Sequence, residues 1–346
     1  MNTIISFLKQ NWHRLGLQHL GDADRLSCVF ATPRFRASGH VIAFVLARGH
    51  DHPLMVAKLP RLPGDNGRLE REAANLQTAQ QARPGGFDSI PRVIAFEEFG
   101  GHYLLLETAV AGQPMKPAVV RRQPEHCLRT ALAWLLEFHA ATCSPAMSTP
   151  ARLDQLVIQP LEQLQTALAA FGEDAVLLEQ TRRLCEPLLR PGLPLVLSHE
   201  DFSHPNILMT ADGNIGVVDW ELAEPHGMPA IDLYFFLTYV AFARHNARHT
   251  PGYLAAFQQA FFGPRAWALP HIRTYATRLA VPEDRLVPLF VLCWVRYLVG
   301  LLRRLQAGQE RRQPLHPATG HWLRQNRYYQ LWRCAVAHAG QLQWRG

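Results

Sequence analysis

The stretch LSHEDFSHPNILM, residues 197–209, followed shortly by GVVDWE, residues 216–221, decides how this chain folds. It sets His199, Asp201, Asn206 and Asp219 among strand-like apolar runs. A buried or half-buried carboxylate is costly unless something compensates it. Asp212-Gly213, between ILM and IGVV, is a hairpin signal, so the fold-back is expected to return Asp219 close to Asn206. A carboxylate and an amide oxygen, with room for water and phosphate, suit an octahedral Mg²⁺, and that cation would offset the clustered negative charge.

Working outward, residues 26–107 read mostly as strands. LSCVFA, HVIAFVLA and PLMVAKL are short, rich in β-branched and aromatic residues, and separated by turn formers such as RGHDHP. NGRLEREAANLQTAQQA then switches to helical spacing, with Leu69, Ala73 and Leu76 on one face, before two more strands, RVIAFEEF and HYLLLET, joined by Gly100-Gly101. Past VAGQP the runs become long and helical. The pattern predicts an α+β chain: a small antiparallel-sheet lobe with one helix over 1–108 and a larger, mostly helical lobe over 109–346, with a cleft between them.

The motif resembles the catalytic loop of the kinase superfamily, H-x-D-x-x-x-x-N followed by a metal-binding Asp. Its form here, HEDFSHPNIL…GVVDWELAEPHGMPAIDL, is similar to the aminoglycoside phosphotransferase and choline kinase branch of the protein-kinase-like superfamily, whose members phosphorylate small molecules. The resemblance spans roughly 26–240 and implies a two-lobed protein-kinase-like fold. It implies Asp201 as catalytic base, Asn206 and Asp219 as Mg²⁺ ligands, His199 as a brace for the loop, and Asp232 as a supporting carboxylate.

LMVAKLP resembles the strand that carries the phosphate-binding lysine, so Lys58 is expected to hold the nucleotide and serve catalysis. Glu72 would pair with it and fix the ammonium toward the α- and β-phosphates, with Glu70 as the rival partner. HYLLLETAVAGQP resembles the hinge, whose backbone from Glu107 to Ala109 would bind the nucleobase. WLLEFHAAT resembles the helix preceding the catalytic loop, and His139 there reads as structural. Two departures stand out. The loop ATPRFRASGHV has Gly39 but no G-x-G-x-x-G, so Ser38, Gly39 and His40 are expected only to approach the phosphates. Glu200 occupies the position where this branch usually has Gly or Asn, and either faces solvent or contributes to substrate selection.

Composition bounds the remaining readings. At 346 residues with 48% hydrophobic and 18% charged, the chain is an ordinary globular one. Its six cysteines (Cys28, Cys127, Cys143, Cys185, Cys293, Cys334) form no CxxC pair, and the N-terminus has no signal-peptide pattern, so a cytoplasmic location is expected. LVPLFVLCWVRYLVGLL, 286–302, is almost long enough to span a bilayer, but Arg296 at its centre favours a buried core helix; no membrane span is expected, and peripheral association stays open. Residues 265–346 carry thirteen Arg and no Lys against Glu283, Asp284 and Glu310, which makes this region a candidate anion receptor or a set of solvated helix faces. Trp267, Trp294, Trp322 and Trp332 read as core packing before sugar stacking. His50-Asp51-His52 reads as a solvated turn and 303–313 as a solvated helix end or loop, with no nucleic-acid motif beside it.

The expectation is a kinase that transfers the γ-phosphoryl group of ATP or GTP, with Mg²⁺, to a hydroxyl of a small acceptor (a sugar, sugar phosphate, amino alcohol or antibiotic-like alcohol), with electrostatic complementarity to the Arg-rich end tilting toward a neutral or anionic alcohol. The alternative is a nucleotide-binding pseudokinase serving as a regulatory or scaffold module. A protein kinase fits poorly, because the short run from Asp219 to Asp232 leaves no room for a long activation loop.

Overall fold

The structure, a computed structural model, describes residues 3–31, 40–62, 64–168, 172–305 and 316–342. In chain order its main elements are α1 (Thr3–Asn11), β1 (Leu26–Ala31), β2 (His40–Ala47), β3 (Met55–Pro60), α2 (Gly67–Gln81), β4 (Val93–Phe99), β5 (His102–Thr108) and β6 (Gln113–Pro114). Next come α3 (Pro117–Arg122), α4 (Pro124–Thr142), α5 (Pro150–Leu153), α6 (Gln159–Leu168), α7 (Ala175–Cys185), β7 (Val196–Ser198), β8 (Ile207–Met209), β9 (Ile215–Val217) and β10 (Glu224–Gly227). The chain continues through α8 (Ile231–Arg244), α9 (Thr250–Phe261), α10 (Leu269–Leu279), α11 (Glu283–Leu305), α12 (Pro317–Gln325) and α13 (Arg327–Ala337). It forms two compact units: Met1–Pro114 with Pro205–Ala223, and Met115–His204 with Glu224–Gly346.

The first unit is built on an antiparallel five-stranded sheet in the order β1-β2-β3-β5-β4. The two-residue period of a strand separates its faces. Ala43, Val45, Met55, Ala57, Leu104 and Leu106 pack with Ile4, Phe7, Leu8 and Trp12 of the N-terminal segment, so α1 supplies one cover. On the opposite face Leu105 packs with Leu69 and Ala73 of α2. Lys58 belongs to that second face, one residue out of step with Ala57.

The strands β6, β8 and β9 make a small separate sheet, with Ile207 opposite Val217 and Met209 opposite Ile215. The Asp212-Gly213 turn forms as the sequence implies, with Gly213 at φ 82°. Gly216 is required by close approach: a Cβ there would lie 2.2 Å from Cγ1 of Val110. Its neighbour Val217 donates its N–H to the carbonyl of Ser89 at 2.8 Å.

In the second unit α11 is the central helix. It is long and apolar enough to cross a membrane by length and composition, but Leu289, Phe290, Leu292, Trp294, Val295 and Leu298 are fully buried within the unit, as expected of a core helix. Trp294 and Trp332 are buried packing residues, whereas Trp322 is exposed and Trp267 lies under Arg244.

A fully buried carboxylate, Asp232 in the first turn of α8, holds the segment after β7. Its two oxygens accept the N–H groups of His199 at 2.7 Å and Glu200 at 2.8 Å, and Nε2 of His139 lies 3.3 Å away. The Tyr275 hydroxyl accepts the N–H of Ala230 at 3.0 Å and lies 2.6 Å from Nδ1 of His139, so the imidazole is held between Tyr275 and Asp232.

Burial alone would raise the Asp232 pKa, but the bond and charge of His139, the charge of His199 and the His199 N–H hold it below its ordinary 3.8. Its contribution to stability is therefore present above pH 3.8 and is lost as pH falls through the lower folded-state value. Asp232→Asn should cost about 3 kcal/mol at neutral pH, the gap to wild type closing below about pH 4; urea unfolding across that range checks both.

Candidate functional site

The site begins at Lys58 on β3, a lysine with almost no solvent access. Antiparallel register sets Val56 opposite Glu107 and Lys58 opposite Leu105, so Glu107 is the diagonal neighbour of Lys58 on the same face. Lys58 Nζ lies 2.5 Å from Oε1 of Glu72 on α2 and 3.1 Å from Oε1 of Glu107. The expected Lys58–Glu72 pair is present. Glu70, the rival, is exposed on the other side of α2.

The same Glu72 oxygen accepts the backbone N–H of Trp220 at 3.0 Å. Asn75, one turn along α2, donates to the carbonyls of Trp220 at 2.9 Å and Ala223 at 3.0 Å. The helix thus grips the segment after β9 through backbone groups, and so fixes where Asp219 begins. Within the hairpin, Val218 donates its N–H to the carbonyl of Asn206 at 3.0 Å, which brings the Asp219 end of the chain back beside Asn206. Asp219 has φ 69°, a left-handed conformation uncommon for a residue with a Cβ and frequent at functional sites. Its Oδ1 is buried without a hydrogen-bond partner among the described residues. A buried carboxylate oxygen without a protein partner is a group that a hard cation would satisfy, and Asn206 is the neighbouring residue with an amide oxygen to offer.

The charges around Lys58 follow from this packing. Burial opposes its ammonium, but Glu107, Glu72 and Asp219 outweigh burial and raise its pKa well above the ordinary value. Burial also raises the Glu107 pKa, against the pull of Lys58. Glu221, two residues beyond Asp219, is pushed up to about 7 by burial and by the charge of Asp219. His40 is pulled down to about 4 by burial and by Lys58, with Nδ1 3.5 Å from Glu221.

Glu107 was expected to act through its backbone, together with Ala109. Its side chain instead engages Lys58, while the N–H groups of Thr108 and Ala109 go to the carbonyls of Arg92 at 2.9 Å and Leu54 at 3.2 Å. The second carboxylate on Lys58 leaves no mark in the sequence, because the contact depends on strand register. Ser38 and Gly39 lie outside the described residues.

Asp201 belongs to the second unit, at the end of the segment pinned by Asp232. It is half-buried; its N–H points to Nδ1 of His199 at 3.3 Å, and its carbonyl accepts the N–H of Ser203 at 2.8 Å. Phe202, fully buried and stacked on Trp134, anchors the segment from below. His199 does brace the loop. Glu200 does not face solvent: it is clasped by Arg296 at 2.9 Å. The His50-Asp51-His52 turn is exposed, and the 303–313 run lies mostly outside the described residues.

Because the Glu107 pKa stands above its ordinary 4.5, the unfolded chain releases this proton at lower pH than the folded one. Stability is therefore lost as pH rises from 4.5 through the folded-state value. Glu107→Gln should flatten that decline and raise Tm by about 2–4 °C at alkaline pH relative to wild type, with no gain in acid, as differential scanning calorimetry would show.

A profile of the phosphotransferase enzyme family matches residues 38–270. No curated protein matches the chain in sequence. Among solved structures, the chain is similar to choline kinase LicA from Streptococcus pneumoniae, at 10% identity and TM-score 0.50, covering 96% of this chain and 98% of that one. It is also similar to a provisionally assigned fructosamine-3-kinase from Haemophilus somnus 129PT, at 13% identity and TM-score 0.51, covering 94% and 95%. An aminoglycoside phosphotransferase from Alicyclobacillus acidocaldarius aligns at 15% identity and TM-score 0.47, covering 90% and 91%. With a protein-kinase-like fold and a family match over most of its length, this chain belongs to the phosphotransferase enzyme family and is a small-molecule phosphotransferase.

Proposed function

We propose that the protein is a kinase that transfers the γ-phosphoryl group of a nucleoside triphosphate to the hydroxyl of a small acceptor. One observation carries this reading most directly. A single carboxylate oxygen of Glu72 holds both the Lys58 ammonium and the backbone that follows Asp219. A phosphate-binding cation and a metal-binding carboxylate are thereby fixed in one rigid array within the first unit.

Phosphoryl transfer asks little covalent work of a protein, so positioning and charge neutralisation dominate. Lys58 would bind the phosphates. Asn206 and Asp219 would hold Mg²⁺, which, when bound, neutralises charge on the phosphoryl oxygens. Asp201 would orient the acceptor hydroxyl and take its proton at the carboxylate. His199, through its bond to the Asp201 N–H, and Asp232, through the N–H groups of His199 and Glu200, hold that carboxylate's backbone in place.

Five arginines of the C-terminal region are engaged within their own unit. Arg296 pairs with Glu200, Arg324 with Asp174 at 3.0 Å and Arg303 with Gln163 at 3.0 Å. Arg285 lies against Asp284 and the carbonyl of Arg190, and Arg327 against the Tyr253 and Tyr328 rings. Arginines already engaged inside their own unit are poor receptors for an anion, so the reading favours a neutral or amino-bearing alcohol over a phosphorylated one. Choline and fructosamine, named for two of the similar structures, fall in that class.

A nucleotide-binding module without transfer is the second reading, and the double engagement of Lys58 favours it. A phosphate must compete with Glu107 as well as accommodate Glu72. Protonation of Glu107, which burial promotes, would release Lys58 to the nucleotide.

Asp201→Ala should reduce transfer from ATP or GTP to a panel of cationic, neutral and anionic alcohols by about 10²–10⁴-fold while nucleotide still binds. Near-normal turnover in that variant would sink the assignment of the base. Asp219→Ala should instead remove the Mg²⁺-dependent part of nucleotide binding, read by calorimetry with and without the metal. If nucleotide binds but neither protein phosphorylates any alcohol, the module reading gains.

A further inference from the structure

We propose that Glu200, Arg296 and Tyr297 form a clamp that positions Asp201, a role resting on the reading of Asp201 as the base. Glu200 has φ 64°, a left-handed conformation that glycine adopts freely and a residue with a Cβ adopts only when its surroundings enforce it. Here the surroundings engage every polar atom of the residue. Its N–H goes to Oδ1 of Asp232 at 2.8 Å. Its carbonyl accepts the Tyr297 hydroxyl at 2.9 Å. Oε1 accepts from the Ser198 hydroxyl at 2.7 Å and from Nη2 of Arg296 at 2.9 Å, while Oε2 faces Nε of Arg296 at 3.2 Å.

The bond to Tyr297 matters most. The Glu200 carbonyl and the Asp201 N–H belong to one peptide plane. The first is held by Tyr297 and the second by Nδ1 of His199, so the plane leading into Asp201 is tied at both ends. Arg296 and Tyr297 are consecutive residues of α11, so one turn of the core helix supplies both the fork that grips the Glu200 side chain and the hydroxyl that grips its carbonyl. Tyr297 is itself fixed by stacking on Phe235, ring centroids 3.8 Å apart.

A buried ion pair is a weak source of net stability, because desolvation offsets most of the attraction, so the role assigned to this one is to fix the geometry of the residue it holds. Arg296 and Glu200 keep only 13% and 12% of their side-chain surface exposed. This explains an arginine at the centre of the otherwise apolar run 286–302 of α11: it is the partner of the Glu200 carboxylate. The clamp turns a flexible position into a rigid one directly before the proposed base.

The test uses Mg²⁺-ATP hydrolysis by the full chain, with turnover expressed per nucleotide-binding site. The variants are Asp201→Asn, Tyr297→Phe, Arg296→Lys, Arg296→Met and Glu200→Gly combined with Arg296→Met. Tyr297→Phe keeps the stacked ring and removes only the hydroxyl, so it remains informative if Arg296→Met fails to fold. Tyr297→Phe and Arg296→Lys should lower the Asp201-dependent kcat by about tenfold or more, while KM for Mg²⁺-ATP stays within about twofold. Glu200→Gly in the Arg296→Met background should restore Tm without restoring kcat. Wild-type kcat per site in Tyr297→Phe and Arg296→Lys would overturn the clamp and leave the pair merely structural. Hydrolysis that Asp201→Asn leaves unchanged would instead remove the assignment of the base, and the clamp's purpose with it.

Discussion

The first unit depends on how one buried carboxylate oxygen is shared. Oε1 of Glu72 binds the ammonium of Lys58 and the N–H of Trp220, so strand β3, helix α2 and the segment after β9 meet at a single atom. A carboxylate with no solvent access must be compensated within the protein. That requirement fixes the helix against the sheet and the hairpin against the helix. Asn75 extends the grip by one turn, and the Asp219 oxygen that has no hydrogen-bond partner among the described residues lies on the segment so held.

Asp232 plays the corresponding part in the second unit. Its carboxylate is satisfied by two consecutive N–H groups of the segment it supports, with His139 behind it and Tyr275 against the far side of the imidazole. Both units therefore use a fully buried acid that accepts backbone N–H bonds from a neighbouring irregular segment, one for Glu72, which also holds Lys58, and two for Asp232. Such segments have no ladder of their own, and charged acceptors give their N–H groups the strong bonds that sheet or helix would otherwise supply.

Much of this was legible in the chain. The strand pattern from 26 to 107, the helix bearing Glu72, the Asp212-Gly213 turn and the buried character of α11 are local or periodic properties. The pairing of Lys58 with Glu72 followed from resemblance together with helix phase. Less legible was α1, whose residues Ile4, Phe7 and Leu8 cover one face of the sheet, because a short apolar N-terminal run carries no period long enough to identify. The second carboxylate on Lys58 was missed for a different reason. Glu107 lies 49 positions from Lys58, and only the β3–β5 register makes them diagonal neighbours.

The sequence by itself determined the element types, the motif residues and the family, because hydrophobic period, turn chemistry and motif spacing are written along the chain. Beyond the Lys58–Glu72 pair, tertiary structure decided how charge is compensated. The Arg-rich C-terminal region reads in sequence as either an anion receptor or a set of solvated helix faces; the fold engages Arg296 with Glu200, Arg324 with Asp174 and Arg303 with Gln163, at separations of 96 to 150 residues. Glu200 looked like a departure from its motif until its partner appeared on α11. A charge has no direction in sequence; its energy depends on which opposite charge the fold brings within about 4 Å and on how much water is excluded there.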